Sequence, residues 1–548
     1  MFRGLASAAA ASASPCLRGA TVFLSVVVSP RPAAPSRFAL SASLFLRVLA
    51  VIHALAFASA WTQLAGLVGP QGILQAQPFF DAVLRQLGPD SAHAQLPSLC
   101  WFIGAGPTAL NALSATGLTL SLLLFIGIAP APALLGLWAC YLSLCGAGQM
   151  FFGFQWDALL LETTLLSVFL APWRVLPLWH TAHSEPPRLA RFLLIWLLFR
   201  LMLLSGAVKL LSGDLSWRDL SALTFHYETQ PLPTPLAYWA HALPAWFHRA
   251  ACAAMFTLEL IIPFFFFAPR ALRHRAALLS IALMLLIALT GNYTYFNLLT
   301  AALCLLCLDD PILPRLIPRR LSTLCHLISD KLFLRPKSAC HLLSDNHSAP
   351  DTPPIPPLPP RWHVWPVRIF AAFVLLYTGL DTVSALIRTL PPIPGFNTVA
   401  AVVAPYRSFN RYGLFAVMTH PRRELIFEGS DDTRTWLPYE FPHKPGDLAR
   451  APTWIAPHQP RLDWQLWFAA LGHPTQNRWV LAVCEHLLRG TPDVLTLVEK
   501  NPFPQKPPRH IRVVRYEYHF TDPATRARTG QVWRRTPLEL YIQPAALK

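Results

Sequence analysis

Long apolar stretches recur along the first two thirds of the chain, each near the roughly 20 residues that an α-helix needs to cross the hydrocarbon layer of a membrane. Nine such stretches are bounded by Arg, Pro or Gly, and they predict nine membrane helices. The predicted spans are Leu40–Leu67, Thr108–Ile128, Pro132–Met150, Gln155–Pro172, Leu189–Leu211, Ala250–Phe267, Ala276–Leu289, Tyr293–Leu308 and Trp365–Ile387. The seventh and eighth are short and nearly continuous, so they could be half-inserted segments.

After Phe396 the pattern changes from long apolar runs to short alternating segments, which are typical of half-buried strands. The predicted strands are Arg407–Met418, Arg423–Glu428, Thr435–Phe441, His510–Phe520 and Val532–Ile542. Gly429 begins a GSDD sequence that suits a hairpin turn. Asp463–Leu471 and Arg478–Leu488 have the periodicity of short amphipathic helices, the second ended by Gly490. This region therefore predicts a β-rich domain with a helical insert.

The resulting fold class is an α-helical polytopic membrane protein of about nine spans with a C-terminal β-rich extramembrane domain. The predicted domains are a disordered Ala-, Ser- and Pro-rich tail (1–38), a transmembrane core of about eight spans (39–308), a Pro/Arg-rich cytoplasmic linker (309–362), the last transmembrane helix (363–390) and the β-rich domain (391–548).

Composition supports the membrane interpretation. Of 548 residues, 54% are hydrophobic and 13% are charged, whereas soluble domains have about 25% charged residues. The net charge of +17 would suggest nucleic-acid binding in a soluble protein, but in a membrane protein it indicates basic cytoplasmic loops. Arg and Lys concentrate in alternate connecting segments, which places the N-terminus in the cytoplasm and the C-terminal domain on the far side of the membrane.

Charged side chains at membrane depth are costly and need partners, so they are the first candidates for function. They are Asp157, Glu162, Arg200, Lys209, Glu259 and Asp381. Under the predicted topology Arg200, Glu259 and Glu162 lie nearer the middle, and Asp157 and Lys209 lie near the outer surface, so opposite charges at similar depth could pair. We favour intramembrane pairing over chemistry for each of them. For Lys209 the alternatives are a base held in an apolar pocket and a simple salt bridge to Asp214.

Metal, thiol and modification motifs are weak. His226, His241 and His248 lie near Glu228 but lack the spacing of metal ligands on a helix. Cys304 and Cys307 form a C-x-x-C pattern inside a predicted span, where packing is the expected role. Glycosylation sequons begin at Asn292 and Asn346 and carry little weight because such triplets are common. The sequence predicts no metal and no cofactor.

Six strings point to a known family. They are FFGFQWDALLLET from Phe151, WRDLSALTFHYETQPLPTPLAYW from Trp217, GNYTYFNLL from Gly291, NRYGLFAVMT from Asn410, APHQPRLDWQLWFAAL from Ala456 and NPFP from Asn501. Together they closely resemble the lipase maturation factor family, in the same order and over most of the chain. The N-terminal tail and the Pro-rich linker fall outside the resemblance.

The resemblance implies a multi-pass membrane protein that helps secreted homodimeric lipases, or other exported hydrolases, reach an active form. Its partners would be the lipid bilayer and the exported client, with no nucleic acid. In eukaryotes it implies the endoplasmic reticulum membrane with a lumenal C-terminal domain. Here Arg greatly outnumbers Lys and the chain ends in PAALK without a retrieval signal, which favours a bacterial inner membrane and a periplasmic domain.

A remoter similarity gives an alternative function. The SGAVKL string around Lys209 looks like a segment of the vitamin K-dependent carboxylase-like membrane superfamily, in which a lysine at this motif is the catalytic base. The alternative is therefore a membrane enzyme with Lys209 as base, whereas the maturation-factor interpretation predicts no catalytic residue.

Client contact would need exposed aromatic or Pro-rich surface. The segments with that composition are Trp454–Trp467 and Asn501–Pro508, although each tryptophan could equally belong to the core of its own domain. The candidates for client binding or for docking of the C-terminal domain onto the membrane helices are His226, Tyr227, Glu228, Trp454, Trp464, Trp467 and Phe503.

Overall fold

The structure is a computed structural model, and it describes residues 37–173, 175, 185–313, 364–387 and 393–547. Nearly all of the predicted N-terminal tail and Pro/Arg-rich linker, and the sequon at Asn346, lie outside the described residues. We call residues 37–387 the membrane domain and residues 393–547 the C-terminal domain.

Within the described residues, seven helices are long and apolar enough to cross a membrane. We number them with two shorter helices that lie among them. They are α1 (Ala39–Trp61), α2 (Pro107–Ile126), α3 (Pro130–Ala147), the shorter α4 (Gln155–Leu170), α5 (Arg188–Leu211), α6 (Ala245–Phe267), α7 (Arg270–Thr290), the shorter α8 (Phe296–Leu305) and α9 (Val364–Leu386). Most of α5 is buried against protein and most of α9 is not, so α5 is central and α9 peripheral.

The expectation of nine full spans is not confirmed. α4 has 16 residues and α8 has 10, and both are largely enclosed by other helices rather than turned toward lipid. The helix at the predicted seventh span, Ala276–Leu289, is longer than predicted. α7 begins at Arg270 and includes Arg273 and Arg275 in its first two turns. Long arginine side chains at a helix end can reach the polar interface, so they do not stop the helix.

Short helices connect these elements on the side of the C-terminal domain. They are Leu64–Val68, Ala76–Leu87, Pro89–Gln95, Cys100–Ile103, Leu215–Arg218, Leu223–Thr229 and Pro235–His241.

The C-terminal domain contains a four-stranded antiparallel sheet of order β2-β1-β3-β4. The strands are β1 (Arg422–Ser430), β2 (Leu437–Pro438), β3 (His510–Phe520) and β4 (Trp533–Ala545). The hairpin predicted at Gly429 is confirmed, because Gly429 pairs with Leu437 across β1 and β2. Four of the five predicted strand regions contain a strand.

Two helices of this domain pack beside the sheet. α10 (Arg461–Leu471) and α11 (Trp479–Arg489) confirm the two predicted helices. Gly490 ends α11 in the left-handed region at φ 65°, which a residue without a Cβ adopts without strain. The remaining short helices are Phe396–Val403, Pro492–Leu495 and Pro523–Thr529.

The strand predicted at Arg407–Met418 is wrong, because this segment is irregular. Its backbone groups bond to the membrane domain instead of to a neighbouring strand. The Gly413 N–H donates to Gln155 Oε1 over 3.3 Å, and the Met418 N–H donates to Asp214 Oδ2 over 2.6 Å. Alternating apolar residues thus fit a groove between helices as well as they would fit a sheet.

One apolar core runs through both parts of the molecule. It contains Phe45 and Leu197 of the membrane helices together with Leu466 of α10 and Ile511 of β3. Since the two domains share a continuous core, the C-terminal domain packs directly onto the membrane helices.

Candidate functional site

The centre of the interface is a buried ion pair between Asp157 of α4 and Arg461 of α10. The Arg461 Nη2 and Asp157 Oδ1 atoms are 2.9 Å apart, and Nη1 and Oδ2 are 3.0 Å apart. Arg461 Nη1 also donates to the carbonyl of Phe151 over 2.7 Å. Both side chains are almost fully buried, and a two-pronged Arg–carboxylate pair is the strong form of this contact.

Tyrosines complete the shell of Asp157. Tyr141 donates to Asp157 Oδ1 over 2.6 Å, and the hydroxyls of Tyr141 and Tyr295 are 2.9 Å apart. The guanidinium of Arg461 lies 3.5 Å from the centre of the Phe152 ring. A buried charge is tolerable only with such partners. Sequence reasoning placed Asp157 in an intramembrane pair, whereas its partner comes from the C-terminal domain.

A second pair joins Glu162 of α4 and Arg200 of α5, both almost fully buried. Here the predicted pairing inside the membrane domain is found. The irregular segment adds to it, since Tyr412 donates to Glu162 Oε2 over 2.7 Å and the Asn410 N–H does so over 3.0 Å. Arg200 Nη1 in turn donates to the Asn410 carbonyl over 3.0 Å. The second pair therefore also ties the two domains together.

A third pair joins Lys209 of α5 and Glu259 of α6, with Nζ and Oε2 2.6 Å apart. Lys209 also donates to the Ser205 carbonyl over 3.0 Å. The salt bridge considered between Lys209 and Asp214 is wrong. Asp214 instead begins the helix Leu215–Arg218, where its carboxylate accepts from the Ser216 N–H at 2.9 Å.

Close helix contact makes the third pair possible. A Cβ added at Gly206 would lie 2.9 Å from the Glu259 Cβ and 2.8 Å from Leu260 Cδ2, so only glycine allows α5 and α6 to approach here. Glu259 lies in a π-helical turn, Thr257–Ile261. Such turns re-aim side chains and are frequent at functional sites.

Glu228 docks the sheet onto the membrane domain. Its carboxylate accepts from the Phe520 N–H and lies 3.1 Å from His519 Nδ1. Its backbone carbonyl accepts from Arg422 Nη1 over 2.7 Å. The neighbouring candidates His226 and Tyr227 are half-buried, and the His226 Nε2 atom is 3.2 Å from the Tyr293 hydroxyl.

Three side chains that join the two domains were not recognised as such from the sequence. They are Arg422, Arg461 and Asn292. Arg422 is fully buried, and its guanidinium donates to three backbone carbonyls of the membrane domain and to Glu424. Arg422 and Glu424 are two residues apart on one strand, so they share a face. Two opposite charges on the same face of a strand are the sequence feature that could have indicated this buried contact.

Asn292 joins the end of α7 to the C-terminal domain. Its side-chain amide donates to the carbonyl of Thr453 over 2.9 Å, and its Oδ1 accepts from the Ile455 N–H over 2.8 Å. The residue is 3% exposed. The sequon at Asn292 is therefore a structural contact that an oligosaccharide could not reach in the folded chain.

The end of α1 contributes further hydrogen bonds. Gln63 Nε2 donates to the Gln459 carbonyl over 2.8 Å, and its Oε1 accepts from the Arg461 N–H over 2.9 Å. Ser59 Oγ lies 2.9 Å from His458 Nδ1. Burial, followed by the charges of His443 and Arg461, lowers the pKa of His458 to about 4.

The aromatic candidates separate into two groups. Trp454 is 55% exposed, whereas Trp464 and Trp467 are buried. Trp464 packs edge-on against Trp156 of α4 with ring centres 4.7 Å apart, and Trp467 Nε1 donates to the Thr229 carbonyl over 3.0 Å. Trp464 and Trp467 are thus not part of an exposed surface. Phe503 is half-buried and has its ring 6.1 Å from that of Tyr439.

Among the described residues there is no group of three or more His, Cys, Asp and Glu side chains that could hold a metal ion. Cys304 and Cys307 are buried in the shared core.

Asp381 of α9 pairs with the partly exposed Arg411, with Nη2 and Oδ1 2.5 Å apart.

A cavity of about 320 Å³ lies beside the Lys209–Glu259 pair. Its walls come from α5, α6, α7 and α8, from the helices Leu223–Thr229 and Pro235–His241, and from Leu414 and Phe415 of the C-terminal domain. His226 and Tyr227 line it. Burial, and then the charge of Lys209, lowers the pKa of His226 to about 4, so this imidazole is neutral at neutral pH.

Comparison with known proteins covers both domains. A family model described as the lipase maturation factor transmembrane domain matches residues 40–315, and one described as the lipase maturation factor C-terminal domain matches residues 408–543. The chain is 35% identical to lipase maturation factor 2 of Homo sapiens, over 92% of this chain and 82% of that protein.

It is also 32% identical to lipase maturation factor 1 of Bos taurus, over 92% of this chain and 89% of that protein. No solved structure matches. The buried contacts fall within the matched regions, since Asp157, Glu162 and Lys209 lie in the first and Asn410, Arg422 and Arg461 in the second. The chain is a multi-pass membrane protein, and it belongs to the lipase maturation factor family.

Proposed function

We propose that this chain assists the maturation of a secreted lipase, or of another exported hydrolase, on the far side of the membrane. The names of its relatives describe maturation factors. The observation that carries the proposal is the fixed attachment of the C-terminal domain by Asp157–Arg461 and by the bonds of Glu162 to the irregular segment. A rigid platform held at the membrane surface can meet a client as it emerges from the translocation machinery.

The proposed orientation places the N-terminus in the cytoplasm and the C-terminal domain in the periplasm or lumen. Arg270 and Arg273 bind Asp309 with N–O distances of 2.7 and 2.5 Å. This cluster lies at the start of α7, while the other end of α7 leads to Asn292 and the C-terminal domain. Basic residues favour the cytoplasmic side. A bacterial inner membrane remains the preferred location, with the endoplasmic reticulum as the eukaryotic equivalent.

Two exposed features of the C-terminal domain suit client contact. Trp454 offers a large apolar surface. β4 is an edge strand of the sheet, and its Leu538 and Leu540 side chains are exposed. A free strand edge can pair with an extended segment of a partly folded partner. We propose these two features as the client-binding surface, in place of Trp464 and Trp467.

The test is co-expression with a homodimeric secreted lipase in cells that lack other maturation factors. The chain should raise lipase activity per molecule without changing the amount synthesised. Trp454→Ala should reduce this gain, whereas Leu481→Ala, an exposed residue of α11, should retain it. Equal activity per molecule with and without the chain, across several exported hydrolases, would overturn the proposal.

The alternative of a membrane enzyme with Lys209 as base has less support. The relatives are named as maturation factors, and Lys209 is held in an ion pair with Glu259. In the maturation assay Lys209→Met should reduce lipase activity per molecule only to the extent that it destabilises the fold. Complete loss of the maturation effect in a Lys209→Met chain that remains folded would favour the enzyme.

A further inference from the structure

The cavity beside Lys209 has the features of a binding site. At about 320 Å³ it lies at the lower end of the roughly 300–1,000 Å³ typical of small-molecule sites. Most of its lining is apolar, including Leu201, Met255 and Leu283. Such a volume admits one alkyl chain but not the two chains of a phospholipid.

The charged side chains of the cavity lining are Lys209 and Glu259, which are in direct contact. Their charges are opposite, so the pair has no net charge. Among the described residues, Lys209 Nζ donates to two acceptors, and Glu259 accepts through Oε2. An ammonium has three donors and a carboxylate two oxygens. One ammonium hydrogen and the Oε1 oxygen therefore have no hydrogen-bond partner among the described residues, which favours an uncharged ligand group that both accepts and donates.

The cavity opens sideways. Three residues of its lining are also exposed on the molecular surface, Leu243 at 41%, Phe247 at 38% and Leu286 at 61%. They belong to the turn before α6, the first turn of α6 and the last two turns of α7. These positions mark a mouth between two membrane helices with apolar rims. Exposed apolar rims favour entry of a ligand from the bilayer rather than from water.

Two local features of α5 and α6 bring Lys209 and Glu259 together. Glu259 occupies the π-helical turn of α6, and Gly206 lets α5 come close enough for Lys209 to reach it. A helix of regular pitch with a larger residue at position 206 would separate the pair. The arrangement places a hydrogen-bonding pair without net charge in the wall of a mostly apolar cavity.

We propose that this cavity binds a single-chain, uncharged amphiphile from the bilayer, of the monoacylglycerol class, with its hydroxyl and ester groups at Lys209 and Glu259 and its chain toward Phe247 and Leu286. The proposal is independent of the maturation role. In this proposal Lys209 and Glu259 recognise the head group, and the mouth admits the ligand from the bilayer.

The test uses the full chain in phosphatidylcholine vesicles with a monoacylglycerol that carries a photoreactive group in its acyl chain. After irradiation, adducts should map to the parts of α5, α6 and α7 that line the cavity. Ile287→Trp, which fills the cavity, should reduce these adducts about tenfold. Leu285→Trp adds the same ring on the exposed face of the same helix and should leave them unchanged.

A second matched pair protects the test against misfolding of one variant. Ala251→Phe enters the cavity from α6, whereas Ala254→Phe lies on an exposed part of the same helix. Equal labelling in both cavity-filling variants and their controls would overturn the proposal. Equal labelling of the same peptides by a two-chain phosphatidylcholine probe would overturn it as well.

Head-group selectivity tests the role of the charged pair. Glu259→Gln leaves Lys209 as a net positive charge, so the preference should move about tenfold toward a photoreactive fatty acid over the monoacylglycerol. If this variant does not fold, Lys209→Met with Glu259→Gln should bind both probes without preference. An unchanged preference in either folded variant would overturn the assignment of the head group.

Discussion

Arg461, the first residue of α10, binds Asp157 in the first turn of α4 through two N–O contacts of 2.9 and 3.0 Å. The two residues are 304 positions apart and lie in different domains. Their pairing converts the C-terminal domain from a tethered module into a fixed part of the membrane protein.

Removing one partner of this pair should loosen the interface. Arg461→Ala leaves Asp157 buried without its cation, and such a loss typically costs about 3–5 kcal/mol. We expect a lower unfolding midpoint in detergent and earlier proteolytic release of the C-terminal domain. Arg489→Ala is the control, because its pair with Glu485 is exposed and should matter by at most about 0.5 kcal/mol. Equal stability of the two variants would contradict the structure.

Replacing both members of the pair gives an independent check. Arg461→Met with Asp157→Leu removes both charges and keeps apolar volume, so the double variant should be more stable than either single variant. Simple addition of the two single effects would mean that the residues do not interact.

Gly206 should not tolerate a side chain. A Cβ there meets Glu259 Cβ at 2.9 Å, so Gly206→Ala should force α5 and α6 apart and cost about 1–3 kcal/mol. Gly379→Ala on α9 is the matched control. Its nearest neighbour, Trp196, is 3.9 Å away, and alanine is the better helix former by about 1 kcal/mol. Thermal unfolding should therefore show opposite signs for the two substitutions.

Acid should weaken the interface. Burial lowers the pKa of His226 and of His458 to about 4, from the ordinary 6.5. The unfolded chain thus binds more protons than the folded chain between these values, and stability falls as the pH falls from about 6.5 to 4. Proteolytic release of the C-terminal domain should rise over this range. His458→Gln should reduce the dependence, and an unaltered pH profile in that variant would argue against the assignment.

Asn292 should stay unmodified and be needed for docking. Expression in glycosylating cells should give a chain whose gel mobility at this site is insensitive to endoglycosidase. Asn292→Ala leaves the Ile455 N–H without its acceptor and should cost about 1–3 kcal/mol. Thr294→Gly destroys the same sequon, but Thr294 has φ 57°, which glycine accepts readily. A sugar-dependent mobility shift would contradict the burial of Asn292.

Much of the architecture could be predicted from local pattern. Apolar runs identified the membrane helices, because a hydrocarbon layer imposes a length on any helix that crosses it. Alternation located β1 and β3, and amphipathic periodicity with Gly490 located α10 and α11. These features depend on neighbours along the chain, so the sequence contains them directly.

The errors arose where distant segments supply the partners. The irregular segment Arg407–Met418 has the alternation of a strand, but its polar backbone groups are satisfied by Gln155 and Asp214. α4 and α8 have apolar composition because protein surrounds them, not because lipid does. Composition measures the polarity of the surroundings and does not distinguish a lipid from a packed helix.

The sequence by itself determined that this protein has a membrane part and a β-containing part, and that charges buried in the former need partners. Only the tertiary structure decided which partners they have: Arg461 for Asp157, Arg200 with Asn410 for Glu162, and Glu259 for Lys209. The physical reason is that a buried charge demands compensation of a given sign but places no limit on how far along the chain the compensating group lies.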